Sequence, residues 1–254
     1  MADIETADIL PPILPGKIVC VGLNYLAHVT ENDPSRQAPD EPVIFMKPPS
    51  ALVGHQGRIR IAHPGHRTDY EAELAVVIGK EARKIEPADA LSFVLGYTCA
   101  NDVSDRTLQK KDGQWVRAKG FDTYCPLGPW IETELDLCSA VVSSSVNGQL
   151  RQSQAVSTML FPAPFLVSFI SKVMTLHPGD VILTGTPEGV GPLQLEDGAE
   201  VSVSGIGTLS HTVGCLVPPW AAPGAARYGG ARYPPAADAV VPCGRRCGPP
   251  GVLV

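Results

Sequence analysis

One twelve-residue stretch, TDYEAELAVVIG at positions 68–79, constrains the fold more than any other part of the chain. In an extended segment, side chains two residues apart leave the same face. Asp69, Glu71 and Glu73 then stand in a row with spacings of roughly 6–7 Å. Tyr70, Ala72, Leu74, Val76 and Ile78 form the opposite, packed face. Three like charges in a row repel, and burying them costs several kcal/mol unless a cation neutralises them. The pattern predicts a β-strand whose acidic side meets a cation, and a metal ion is the first candidate.

Short strand-like runs dominate the rest: KIVCVGL, PVIFMKP, RIRIA, FVLGYTCAND, GPWIET, AVVSSSVNG, DVILTG and EVSVSGIGTLSHTV, separated by Gly, Pro and Asp turns. This spacing predicts a mainly β, β-rich α+β fold. The Asn-Gly pair in VNGQ marks a tight hairpin turn, and SGIGTL a second bend. Helical pattern is confined to NYLAHVTEN, SDRTLQKKD and PAPFLVSFISKVMTLHPGD, the last ending in a His-Pro-Gly stop. Residues 17–217 read as one folded domain, preceded by a segment at 1–16. Positions 218–254 are rich in Pro, Gly, Ala and Arg and have no periodicity, so they read as an irregular tail.

The chain has 254 residues and a formal net charge of -6, which offers no basic face to nucleic acid or to anionic membranes. The opening MADIETADILPPILPGK lacks a basic segment followed by an apolar run, and no apolar stretch reaches the roughly 18 residues of a membrane span. Seven cysteines is an odd number, and Cys20, Cys99, Cys125, Cys138 and Cys215 each sit singly in apolar or strand-like contexts. They are expected to be reduced, buried thiols in a cytoplasmic protein. Cys243 and Cys247 have no second pair or nearby histidine and are not read as a zinc site.

A hard divalent cation wants more oxygen ligands than one strand supplies. Asp102, in CANDVSDRTLQ, lies where a strand gives way to a helix and could meet Glu71 and Glu73 from a second strand. Three carboxylates on a six-coordinate ion leave about three positions for water and a chelating substrate. His28 and Glu31 share a helical face and have the makings of a general base. Arg106 and Gln109 have the same spacing and could hold a substrate carboxylate or carbonyl. Lys119, in RAKGFDTYCPLGP, lies between turn-formers, free to place a cation near developing negative charge. The loop LTGTPEGVG offers backbone N–H groups and the Thr186 hydroxyl to an anion, but it lacks the lysine and spacing of a nucleotide loop. Taken singly, each motif has a bland structural reading as a solvated face, a surface pair or a turn.

Together, their order and wording resemble the fumarylacetoacetate hydrolase family. The resemblance runs through GLNYLAHVTE, PVIFMKPPSALVG, DYEAELAVVIG, GYTCANDVSDRTLQ, RAKGFDTYCPLGPWI, VNGQLRQ, MTLHPGDVILTGTPEGVGPL and GIGTL, over about residues 17–213. It implies a roll of mixed β-sheets with a few short helices, commonly a homodimer. It implies a divalent metal held by Glu71, Glu73 and Asp102, usually Mg2+ or Mn2+, with Ca2+ also compatible. His28 and Glu31 match the family's water-activating pair and Lys119 its enolate-stabilising lysine. Arg106, Gln109 and Thr186 match substrate-binding positions, while Asp69 stays outside the metal's ligands. The expected substrate is a small 2-oxo or diketo acid processed through a metal enolate. The retained His–Glu pair favours C–C hydrolysis of an acylpyruvate or fumarylpyruvate. The alternatives are the 2-hydroxyhepta-2,4-diene-1,7-dioate isomerase/decarboxylase of aromatic catabolism, oxaloacetate decarboxylation, or a binding protein without turnover. Two departures stand out: SDRTLQ replaces the family's more usual Ser-Ala-Arg-Asp wording, and Glu188 adds a negative charge to the Thr-Pro loop.

Overall fold

Alternating apolar runs broken by turns give a molecule dominated by strands. The computed structural model describes residues 9–215. In chain order the strands are β1 (Ile18–Gly22), β2 (Val43–Lys47), β3 (Leu52–Val53), β4 (Arg58–Ile61), β5 (Thr68–Tyr70), β6 (Ala72–Ile78), β7 (Val94–Asn101) and β8 (Ser104–Asp105). They continue with β9 (Cys125–Glu132), β10 (Val141–Val146), β11 (Gln149–Ala155), β12 (Val181–Leu183), β13 (Gly191–Pro192), β14 (Gly198–Val203) and β15 (Gly207–Cys215). The helices are α1 (Leu26–Thr30), α2 (Arg106–Lys111), α3 (Val116–Lys119) and α4 (Ala163–Val173). A seven-stranded sheet runs β2-β1-β12-β6-β7-β9-β3, a five-stranded sheet β11-β10-β14-β15-β4, and a small third sheet β13-β5-β8. Parallel and antiparallel pairs mix, as where β1 runs parallel to β12 and antiparallel to β2.

The acidic strand differs from its sequence reading in two ways. It breaks at Glu71, so that β5 belongs to the small sheet and β6 to the large one. Strand β6 is also buried on both sides. Leu74, Val76 and Ile78 pack with α4 and β14, whereas Ala75 and Val77 join Ile18, Leu127 and Val181 on the other side. A sheet with both faces covered buries every side chain of its central strands, so the expected split into a packed and an acidic face holds only at the end where the carboxylates lie.

Helix α4 explains one covered face. Ala163, Leu166, Val167 and Ile170 recur at helical spacing and are all buried against the sheet. Each fully buried leucine or isoleucine contributes about 1.5–3 kcal/mol, which fixes the face that turns inward. The Asn147-Gly148 turn, with φ 52° and 73°, joins β10 to β11 as its wording requires. Strands β3, β8, β11 and β13 were not read from the sequence. Three of these are two residues long and too short to carry a period, while QLRQSQA of β11 is polar and mostly exposed.

Cys20, Cys99 and Cys125 are buried free thiols, but Cys138 and Cys215 are exposed, against the expectation of five buried ones. Cys138 lies in the loop before β10, and Cys215 is the last residue of β15. Among the described residues, no helix is long and apolar enough to cross a membrane. The tail at 218–254, with Cys243 and Cys247, lies outside the described residues, as does the first half of segment 1–16.

Candidate active site

The break at Glu71 builds the site. Asn101 accepts the Glu71 N–H through Oδ1 at 2.9 Å, and the Asp102 N–H donates to the Glu71 carbonyl at 2.9 Å. The end of β7 is thereby pinned to the junction between β5 and β6. Because β6 and β7 pair with Glu73 opposite Ala100, Asp102 arrives beside both glutamates. Glu71, Glu73 and Asp102 each offer an oxygen, all within 4.8 Å of one another, and all three are buried.

Cations surround this cluster unevenly. Lys119, closing α3, donates to Glu71 at 2.8 Å and to Asp102 at 2.6 Å. Arg106 lies 2.6 Å from Glu71 and 2.9 Å from Asp69, and donates to Gln109 Oε1 at 2.8 Å. Lys47 closes β2 and reaches Asp102 at 2.7 Å from the opposite side while donating to the carbonyls of Val103, Lys119 and Tyr124. The Lys47–Asp102 and Arg106–Glu71 contacts are at ion-pair distance, yet neither is aligned as a hydrogen bond. Asp69 turns away to Arg67 and Arg106, so it stands outside the cluster.

Among the described residues, no cation pairs with Glu73. Its hydrogen bond comes from the Gly185 N–H at 2.6 Å. Burial, together with the charges of Asp102 and Glu71, pushes its carboxyl well above the usual range. Burial acts the same way on Glu71, but Arg106 and Lys119 overcome it and hold that carboxyl below its ordinary value. Burial works to lower Lys119, and Asp102 and Glu71 more than offset it, so the ammonium keeps its charge. A buried carboxylate lacking a cation beside two others is the defect that a divalent ion corrects, and three oxygen donors suit a hard one. The donor set therefore fits a divalent metal.

The remaining predicted residues gather around the same cleft, which is lined by His28, Arg106, Gln109, Lys119 and Thr186 along with the cluster. His28 Nδ1 lies 3.0 Å from Glu31, whose other oxygen accepts the Gly189 N–H at 2.8 Å. The helix carrying the pair is thus tied to the loop between β12 and β13. Three details depart from the sequence reading. Lys119 is not free between turns but closes a short helix, almost fully buried and held by two carboxylates. Each nitrogen of the Arg106 guanidinium already faces a protein oxygen. The Thr186 hydroxyl donates to the Ala72 carbonyl at 2.9 Å and accepts from Gln152 at 2.8 Å, so it has no proton to spare for a substrate carboxylate.

Three supports were missed in the sequence. Lys47 ends an apolar strand and reads as a side chain snorkelling to solvent, but it is buried. Gln152 sits opposite Ser144 across β10–β11 and makes four hydrogen bonds, to Ala72, Ser144, Thr186 and Pro187, which hold the Thr-Pro loop in place. Asn24 stitches Phe161 and Thr184 to the entry of α1. It lies so close to Gly185, at φ +99°, that a Cβ there would meet the Asn24 Cβ at 2.7 Å.

Residues 17–214 match the family model described as "Fumarylacetoacetate (FAA) hydrolase C-terminal". The chain belongs to the fumarylacetoacetate hydrolase family. Like that family's members it is an enzyme, of the group that includes isomerases, hydrolases and an oxaloacetate tautomerase. A solved 5-carboxymethyl-2-hydroxymuconate delta-isomerase from Mycobacterium smegmatis is 49% identical, with a TM-score of 0.76 over 81% of this chain and 79% of that one. A 2-hydroxyhepta-2,4-diene-1,7-dioate isomerase from Mycobacterium marinum is 45% identical, with a TM-score of 0.75 over 82% and 77%. A mitochondrial oxaloacetate tautomerase of Xenopus laevis is 43% identical over 218 residues, 81% of this chain and 68% of that protein.

Proposed function

We propose that this family member moves a proton on a small 2-oxo or 2-hydroxy dicarboxylic acid, as an isomerase or tautomerase, using Mg2+ or Mn2+. The observation that carries acid–base chemistry at this site is the His28–Glu31 pair at 3.0 Å on the rim of a cleft floored by three carboxylates. Glu31, fixed by Gly189, holds His28 through Nδ1 and leaves Nε2 to take a proton from a substrate carbon and return it elsewhere. Glu71, Glu73 and Asp102 would hold the divalent ion, which would supply Lewis acidity to a 2-oxo acid and leave Lys119 and Arg106 less committed to the carboxylates. Lys119 then offsets negative charge on the substrate's enol oxygen, and Arg106 with Gln109 steadies its distal carboxylate. Thr186 contributes through the backbone of its loop, since its hydroxyl is committed.

The names of three relatives at 43–49% identity favour proton transfer over the hydrolysis that the His–Glu pair alone suggested. C–C hydrolysis remains the alternative outcome, because the same pair could activate a water. Reduced buried thiols support a cytoplasmic setting, and a homodimer is part of the proposal, to be checked by sedimentation.

The test is a proton NMR time course in deuterated buffer with added Mg2+ or Mn2+, on oxaloacetate, 2-hydroxyhepta-2,4-diene-1,7-dioate and acetylpyruvate. The expected result is ion-dependent enol–keto exchange or double-bond migration, lowered about 100- to 10,000-fold in His28→Ala. Cleavage of acetylpyruvate to pyruvate and acetate, without either proton transfer, would overturn the reading in favour of the hydrolase.

A further inference from the structure

A second group of metal-ligating side chains lies outside the cleft, where the proton-transfer reading does not use it. His63, His66 and Asp105 present two imidazole nitrogens and a carboxylate oxygen, all within 4.8 Å of one another. Their convergence is built in at three levels. In the sequence His-Pro-Gly-His, the His66 N–H closes a turn onto the His63 carbonyl at 2.9 Å, setting the two rings side by side with centroids 4.6 Å apart. The turn leads directly into β5, and β5 pairs with β8 so that Thr68 lies opposite Asp105, which carries Asp105 to the rings. The Asp105 carboxylate is itself fixed, because Oδ1 accepts the Leu108 N–H at 3.0 Å and leaves Oδ2 facing the histidines.

Both rings turn Nδ1 toward that one oxygen, His66 at 2.7 Å and His63 at 3.4 Å. Only His66 makes a hydrogen bond there. His63 faces the same point with no hydrogen bond of its own side chain among the described residues, its ring held edge-on by Phe121 at 5.3 Å. Two imidazole nitrogens gathered around one carboxylate oxygen, with the carboxylate buried and the imidazoles partly exposed, make a three-ligand set open on its solvent side.

We infer that His63, His66 and Asp105 form a binding site for a borderline divalent transition ion of the zinc class, separate from the carboxylate cluster. The donor chemistry separates the two sites. Imidazole nitrogen suits Zn2+, Co2+ and their neighbours, whereas the all-oxygen cluster suits Mg2+ and Mn2+. Three protein ligands leave a coordination position for water or a small anion. An ion here also ties the His-Pro-Gly-His turn to the residue that caps α2, the helix bearing Arg106 and Gln109.

The test titrates the full-length chain with Co2+, read by its visible absorption, and with Zn2+, read by calorimetry. The expected result is one equivalent of ion that persists in Glu71→Gln/Glu73→Gln and is lost in His63→Gln/His66→Gln, with Mg2+-dependent activity kept in the latter. Should the carboxylate variant fail to fold, the comparison of wild type with His63→Gln/His66→Gln still reads the loss of one equivalent. Nitrogen-detected NMR of the wild type then has to show both Nδ1 signals shifting with Zn2+. Identical titrations of wild type and histidine variant, or unshifted Nδ1 signals at saturating Zn2+, would overturn the site.

Discussion

Lys47 and Glu73 set the electrostatics of the cleft from opposite directions. Lys47 is 1% exposed and places its ammonium against Asp102 and three carbonyls. Replacing it with methionine keeps most of the packing but leaves Asp102 buried with one cation fewer. Removing one partner of a buried pair costs about 3–5 kcal/mol, so Lys47→Met is expected to shift urea unfolding by that amount. An unchanged midpoint would show that Lys119 alone balances Asp102. Glu73 behaves in the reverse sense. Its raised carboxyl makes a favourable contribution below the unfolded value, near 4.3, that is lost as pH rises toward the folded one. Glu73→Gln keeps an acceptor for the Gly185 N–H and removes the charge. In ion-free buffer the variant is expected to gain about 1–3 kcal/mol over wild type at neutral pH and to lose that advantage near pH 4. Urea titrations at the two pH values check the sign.

The elements differ in how much of them the sequence revealed. Runs such as KIVCVGL and DVILTG were legible as strands because they are short, apolar and bounded by Gly, Pro and Asp turn-formers. The three carboxylates were legible only as part of the whole constellation, since Glu71 and Glu73 alone fit a solvated strand face as well as a cation site. What stayed hidden depends on pairing between distant segments. The break at Glu71 follows from hydrogen bonds to Asn101 and Asp102, and the commitment of the Thr186 hydroxyl follows from Gln152 on another strand. His211 on β15 is a further case. Its Nε2 meets the Gly54 carbonyl at 3.0 Å, and burial, aided by His55 and opposed by that hydrogen bond, holds its pKa at about 4 against an ordinary 6.5. The unfolded chain takes up a proton below about 6.5 while the folded chain stays neutral to about 4, so stability falls as pH drops through that window. The full loss is about 3 kcal/mol. Stability measured between pH 7 and 4 is expected to lose this component in His211→Gln, and an unchanged pH slope would assign it to other groups.

At the scale of the whole molecule, the carboxylate cluster is where separate layers meet. Glu73 comes from the large sheet, Glu71 from its junction with the small one, and Asp102 from the link between β7 and β8. An ion bound there holds these parts together and is absent from the unfolded chain, so it stabilises the native state by mass action. At an ion concentration of 100 times Kd the gain is about 2.7 kcal/mol. For a folded body of this size each kcal/mol raises Tm by about 2–4 °C, which predicts a rise of about 5–10 °C with Mg2+ or Mn2+. Sodium at equal ionic strength is expected to leave Tm unchanged, since buried charges are poorly screened. The rise is expected to vanish in Glu71→Gln/Glu73→Gln and to survive intact in His63→Gln/His66→Gln. A rise that the histidine variant abolished instead would place the stabilising ion at the surface turn and leave the acidic cluster balanced by its own lysines and arginine.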